Sequence, residues 1–383
     1  MRLKTVAKLA TIASVLLFCL ALGCYVFMQL DRADRHRDVN LFSLVPSDCT
    51  GVLYSDNIYA FMDNYPEPNY RDELNRFQFP GLFEFILSGL KEYAGENAHG
   101  LSNQMGHLAV SFHDSPLSNN QVVYLRMEAD DKQLLADMLN EFTSSDFLPK
   151  EEKYRGKKIR VYPLGDEDFL ASYEGKGFWA LSYQKRLIEE VIDASLDDTS
   201  LADDELFSRM QDKKRKSRHF MTLYTRSASM PFLAQREKCW SEYEFHLNSD
   251  VLYLTGEMLT PDEETNVEAV EQRIKEMEGV EEPSLIVSVD KDSTGAYVEK
   301  ALSIAETGDR TLFNECVANL STDASFTLAV DMETVARDPQ RFREYLPEFV
   351  INHKDLFIPF VLSVQLTLGE GHVSHIWVFT YKD

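Results

Sequence analysis

Basic charge is in short supply. The 383 residues hold 39 Lys and Arg against 63 Asp and Glu, for a formal net charge of −24 at pH 7. A surface of that sign repels nucleic-acid phosphates and anionic lipid headgroups, so no nucleic-acid partner is expected. Cysteine is scarce as well. Of five, Cys19 and Cys24 lie in an apolar run, which leaves Cys49, Cys239 and Cys316. An odd, widely spaced trio allows at most one bridge and excludes a disulfide scaffold. There is no P-loop, no G-x-S-x-G and no C-x-x-C, so the commonest phosphate, hydrolase and thiol-redox signatures are missing. Nine histidines occur without an H-E-x-x-H spacing.

One long uncharged run is present, at residues 9–30, LATIASVLLFCLALGCYVFMQL. A helix of that length spans about 33 Å, enough for a bilayer core of roughly 30 Å. Arg2, Lys4 and Lys8 precede it, and Arg32, Arg35 and Arg37 follow. The basic residues alone give a weak orientation bias, but a short basic N-terminus before a long chain favours a signal-anchor. The expectation is a single-pass inner-membrane protein with its C-terminal part in the periplasm. Two other readings also export the chain. One is a lipoprotein anchored at Cys24, after Ala21-Leu22-Gly23. The other is a signal peptide cut after Gly23.

Beyond a polar linker at 31–40, composition is globular, 44% hydrophobic and 11% aromatic. Alternating or apolar stretches predict strands at VLY (52–54), HLAVSFH, QVVYLRM, KKIRVYPL, DFLASYE and GFWALSY. Helical patterns fill FPGLFEFILSGLK, DDKQLLADMLNEF and QKRLIEEVIDASL. The polar, acidic LDDTSLADDE marks a domain boundary. The order then returns: RHFMTLYTR as strand, CWSEYEFHLNSDVLYLTGEM as hairpin, PDEETNVEAVEQRIKEME as helix. SLIVSVDKDSTGAYVEKALSIA adds a strand and a helix. A third, truncated copy starts at ASFTLAVDMETVAR and ends with the hairpin PFVLSVQLTLGEGHVSHIWVFTY.

The predicted fold class is therefore α+β: an N-terminal transmembrane helix, then tandem modules of mostly antiparallel sheet covered by helices on one face. The expected divisions are 1–40 for cytoplasmic tip, anchor and linker, 41–200 for a first module, and 201–383 for a second module with a truncated third repeat. The three strand-helix-hairpin units, anchored at Leu53, Leu223 and Leu328, are expected to be equivalent. Phe112, Phe245 and Leu366 are expected to face a core.

LFSLVPSDCTGVLYSDNIYAF, EEKYRGKKIRVYPLG and the terminal SHIWVFTYKD resemble an uncharacterised family of membrane-anchored envelope proteins of Gram-negative bacteria. The resemblance covers nearly the whole chain. It implies location and architecture, and it supplies no catalytic residues.

Several short constellations invite chemistry, and each has a plainer reading. Ser182-Tyr183-Gln184-Lys185 matches the S-x-x-K of penicillin-binding enzymes, but no K-T-G or S-D-N accompanies it and Ser182 suits a helix N-cap. Asp290-Lys291-Asp292-Ser293-Thr294-Gly295 opens like a calcium loop, yet the twelfth position is Ala301 where a glutamate is needed. A capped turn into a helix accounts for it. His372 and His375 lie three apart on a strand, on opposite faces, and so do not share a metal ion. Lys213-Lys214-Arg215-Lys216 with Arg218 complements a helix C-terminus and reads as a solvated face ahead of a partner or headgroup site. Trp179, Trp240 and Trp377 sit in strand patterns, as core residues rather than a sugar platform. Cys316 reads as a buried small hydrophobe. Asn319-Leu320-Ser321 fits a glycosylation acceptor, with Leu320 on a helix.

No catalytic, cofactor-binding or metal residue is assigned, and no cofactor is expected. Three functional classes remain: a non-enzymatic envelope protein that binds or scaffolds a protein partner, a binder of lipid or another apolar ligand, and an enzyme with an unrecognised site. The first is the reading adopted, with the membrane engaged through residues 9–30.

Overall fold

The structure is a computed structural model. It describes residues 39–60, 68–72, 106–114, 119–128, 149–164, 169–212, 221–233, 239–261, 263–308, 311–369 and 371–382, with isolated positions between 82 and 139. The run 9–30, Cys19, Cys24, the basic cluster 213–218 and most of the two helical patterns between 73 and 148 lie outside them. Among the described residues no helix is long and apolar enough to cross a membrane.

Among the described residues fifteen strands form one sheet. They are β1 (Gly51–Ser55), β2 (Leu108–Phe112), β3 (Gln121–Arg126), β4 (Lys150–Tyr154), β5 (Lys157–Pro163), β6 (Phe169–Gly175), β7 (Phe178–Ser182), β8 (Thr222–Thr225), β9 (Trp240–Leu247), β10 (Val251–Leu259), β11 (Val280–Glu282), β12 (Leu285–Ser288), β13 (Phe326–Asp331), β14 (Phe360–Leu368) and β15 (Val373–Tyr381). Their spatial order is β11-β12-β13-β14-β15-β10-β9-β8-β1-β2-β3-β7-β6-β5-β4, and every pairing is antiparallel.

This overturns the tandem-module expectation. β1 pairs with β8 from Gly51↔Thr225 to Tyr54↔Thr222, so the sheet runs unbroken from one half of the chain into the other. Separate modules would leave β1 and β8 as open edges with unpaired backbone groups. The supposed third copy is not a new module either. β13, β14 and β15 are the return path of the second half, and β15 closes onto β10. The triplets β1-β2-β3, β8-β9-β10 and β13-β14-β15 do share order and direction. Register puts Phe112, Phe245 and Leu366 on one face, where Phe112 and Phe245 pack half-buried in one cluster and Leu366 is fully buried in another.

Helices cover both faces, not one. On the first face, α1 (Lys185–Asp197), α2 (Glu205–Asp212) and the 3-10 turn Leu41–Leu44 pack over Val52, Tyr124, Ala180, Tyr224 and Trp240. Further along that face, α4 (Lys291–Thr307) and α5 (Leu312–Ala318) cover Ile286, Ala329 and Val361. On the second face, α3 (Glu263–Glu276), α6 (Met332–Arg337), α7 (Glu348–Asn352) and α8 (Lys354–Phe357) pack on Leu328, Leu362, Val364 and Trp377. Strands β7 and β12 are buried at every position, as strands covered on both sides must be.

Two strands escaped the sequence reading, β4 (KEEKY) and β11 (VEE). They are the two edges, where charge replaces apolar alternation. Glu151 pairs with Lys158 at 3.0 Å, Glu152 with Lys185 at 2.7 Å, and Glu282 with Arg341 at 2.8 Å. The acidic stretch LDDTSLADDE is pinned to the chain just before β1. Leu201 N donates to Val45 O at 2.7 Å, and Ser47 N donates to Thr199 O at 3.0 Å. Leu201 is fully buried.

The joined sheet predicts joined unfolding. In protein labelled with 5-fluorotryptophan, the native 19F resonances of Trp179, Trp240 and Trp377 should vanish at one urea concentration. A Cβ at Gly51 would stand 2.8 Å from the Tyr224 carbonyl across the β1–β8 joint. Gly51→Val should therefore shift all three resonances together, by about 1–3 kcal/mol. A midpoint for Trp179 apart from the other two would contradict the single sheet.

Candidate functional site

The ends of β1, β2 and β8 meet at the joint between the two halves, and a cavity of about 520 Å³ opens there. Ser47, Asp48, Asp198, Thr199, Ser200, Asp203, Asp204 and Arg226 line it. Arg226 follows β8 and reaches back to the chain before β1. Its Nε donates to Cys49 O at 3.0 Å, and one terminal nitrogen donates to Ser47 O and, at 3.0 Å, to Asp204 Oδ2. The guanidinium also lies 4.7 Å from the Trp240 ring centroid. One cation thus engages two carbonyls, a carboxylate and an aromatic face.

Behind the cavity lies a buried polar row. Ser111 Oγ is 2.7 Å from His113 Nε2 and 3.1 Å from Tyr124 Oη. Ser111 and Tyr124 are fully buried and His113 nearly so. A hydroxyl beside an imidazole is the pairing used for nucleophilic catalysis, so ionisation decides its meaning. Burial pushes the His113 imidazole down to about 4, only partly offset by Asp48. Burial likewise pushes the Cys49 thiol up to about 12, outweighing the pull of Arg226. An activated base sits near neutrality and an activated thiol is depressed. Both shifts here favour the uncharged form: a thiol in place of a thiolate, and a free imidazole that is a weak base. The row's hydrogen bonds hold β2 to β3.

A second cavity of about 490 Å³ is lined by Phe232, Arg273, Glu276, Met277, Glu278, Glu344 and Tyr345. Arg273 donates to Phe232 O at 2.8 Å there.

The sequence candidates fall elsewhere. Ser182 is the last residue of β7 and not a helix cap; Gln184 holds the cap position of α1. Ser182 Oγ donates to Gln121 O at 2.8 Å and accepts from Gln184 N at 3.0 Å, while Lys185 turns to Glu152 at 2.7 Å. The serine and lysine are not brought together. Asp290 caps α4, accepting from Ser293 N at 2.7 Å and Ser293 Oγ at 2.8 Å. Both its oxygens serve the turn, and among the described residues no trio of His, Cys, Asp or Glu is placed to hold a metal. His375 is buried, with Nε2 2.8 Å from Glu242 O. His372 lies near Gly369 at the hairpin end. All three tryptophans are buried in the core. Cys49, Cys239 and Cys316 are free thiols, and Cys316 is half-buried beside α4 and α5 residues. Asn319 follows the end of α5, so Leu320 lies just past that helix rather than on it.

Sequence reasoning missed the Arg226 junction. Its signal was faint: one arginine after a strand, and an aspartate-rich stretch read as a domain boundary.

Arg226→Lys keeps the charge but loses the fork that spans Ser47, Cys49 and Asp204. It should lower stability by about 1–3 kcal/mol in a urea titration. An unchanged midpoint would show the junction to be ornamental. His113 gives a pH prediction. Its folded pKa lies below the unfolded 6.5, so between pH 6.5 and 4 the unfolded chain binds the extra proton. Stability should fall as pH drops through that window, by up to about 3 kcal/mol from this residue. In His113→Gln the loss from pH 7 to 4 should be smaller by that amount; an identical loss would refute it.

Comparison with family models, with curated proteins and with solved structures finds no match.

Proposed function

We propose that the chain is an extracytoplasmic protein tethered to the inner membrane through residues 9–30, and that it works by binding another protein rather than by catalysis. The tether is supported by the uncharged run and the basic residues before it. Binding without chemistry is supported by the joint between the halves, where burial keeps the Cys49 thiol protonated and makes His113 a weak base. The carboxylates lining both cavities do not suit an apolar tail.

The observation that carries the reading is an open strip inside the sheet. Along β15, Val373, His375, Trp377 and Phe379 are buried, while Ser374, Ile376, Val378 and Thr380 are at least partly exposed. Ile376 is 43% exposed although β15 has strands on both sides. On this same first face α2 covers the start of β9, and α5 covers β13 and β14. Between them, His246 of β9 stacks on Tyr253 of β10 at 4.3 Å, with planes 6° apart. A rigid aromatic pair beside an exposed isoleucine, bordered by helices, is the make-up of a protein contact.

A photo-crosslinking residue placed at Ile376 or Val378 in intact cells should give a discrete protein adduct. The same residue at Leu302, exposed on α4, should not. The reading falls if the strip positions yield no adduct, or if Leu302 yields the same one.

A further inference from the structure

Strands β9 and β10 keep a single register from Leu252↔Leu247 to Leu259↔Trp240, yet the ladder is interrupted where Gly256 and Glu257 face Tyr243 and Glu242. His375 sits at that interruption. It is the cross-strand neighbour of Gly256 on β15. Its imidazole passes over β10, and Nε2 stands 2.8 Å from the Glu242 carbonyl on β9. One side chain therefore ties three consecutive strands.

Glycine at 256 makes this possible. A Cβ there would lie 1.9 Å from Glu242 O and 3.1 Å from His375 Nε2. The missing side chain lets the β9 carbonyl turn inward to meet the ring. A carbonyl only accepts, so Nε2 carries the hydrogen and Nδ1 is bare in the neutral ring. His375 is 1% exposed, and Nδ1 has no hydrogen-bond partner.

The surroundings offer a second proton no support. From β9 the Tyr243 ring lies against the imidazole at 4.6 Å, its hydroxyl donating to Ser229 O at 3.3 Å. Burial raises the Tyr243 phenol, so it stays neutral. From β10 the neighbour is Gly256, and across β15 on β14 it is Leu366. The side chains of Glu242 and Glu257 alternate to the opposite face. Burial pushes His375 down to about 4 against the pull of the Glu242 carbonyl, with no charged side chain contributing.

We propose that His375 is an acid-responsive latch: neutral, it fastens β15 to β9 across β10; protonated at Nδ1 by solvent, it lets β9 part from β10 and opens the sheet at that line. The direction follows from linkage. Between pH 6.5 and 4 the opened form binds a proton that the closed form excludes, so opening gains as pH falls. Across that window the open fraction should rise on the order of 100-fold.

Hydrogen exchange of the full chain, corrected for the intrinsic effect of pH, tests this. From pH 7 to 4.5, amides in residues 241–258 should lose protection by a larger factor than those of β6 and β7. His375→Gln keeps a donor for the Glu242 carbonyl and cannot titrate, so its 241–258 amides should respond no more than the rest of the sheet. His113→Gln should leave the local response intact. A wild-type-like response in His375→Gln overturns the latch. If that variant does not fold, a histidine 15N titration of the wild type decides. A midpoint near 4 for His375 supports the latch, and one near 6.5 overturns it.

Discussion

A strand with an unpaired edge must be paired, covered or charged, and that constraint organises the molecule. The chain builds two runs of strands. Each starts with three in order, β1-β2-β3 or β8-β9-β10, then leaves for the far side and returns, ending at β7 beside β3 or β15 beside β10. Each run would begin with a bare strand. Pairing β1 with β8 removes both bare edges at once and leaves β4 and β11, which are short and charged. Arg226 then serves this joint from outside the ladder, holding the residues before β1 to the residue after β8 and to Asp204. What looked like a domain boundary at 196–205 is the third strap of the same joint.

A sheet covered on both faces leaves little water for polar side chains, and the buried ones here are held neutral. Cys49 and Tyr124 are raised and His113 and His375 lowered, with burial the leading cause in all four. Groups so shifted carry no charge near neutral pH. They form fixed hydrogen bonds, as His113 does with Ser111 and His375 with Glu242. The cost is sensitivity to acid, since each buried imidazole must lose its place to gain a proton.

Much of the element list was legible in the sequence. Alternation located β2, β3, β9, β10, β14 and β15, and the turn into α4 was read from Asp290-Lys291-Asp292-Ser293. Polar edges were not legible, because KEEKY and VEE carry no apolar period. Partners were not legible either. Nothing in RHFMTLYTR states that Leu223 will face Leu53, since period 2 fixes a face and never a neighbour. The candidate site failed for the same reason: Ser47, Asp204 and Arg226 are remote in the chain and meet only through the β1–β8 pairing. His375 was weighed as a metal ligand together with His372, on the premise that both lie on one strand, but β15 begins at Val373 and His372 belongs to the turn. The actual role of His375 depends on Gly256, over a hundred residues earlier.

The two halves differ in how they return, and that difference leaves the open strip. In the first, β4 to β7 turn back on themselves through short links such as Arg155-Gly156 and Lys176-Gly177, where both glycines have positive φ. In the second, α4 and α5 intervene between β12 and β13, and α6, α7 and α8 between β13 and β14. Of these, α4 and α5 cover β12, β13 and β14 on the first face, and α6, α7 and α8 pack on the second. β10 and β15 are joined to their chain neighbours by hairpins, Asn248 to Val251 and Leu368 to Val373, and neither hairpin carries a helix of its own. An antiparallel strand tolerates one wet face. Among the described residues no helix covers the Ile376 side of β15, and that face has a floor fixed by a strand on each side.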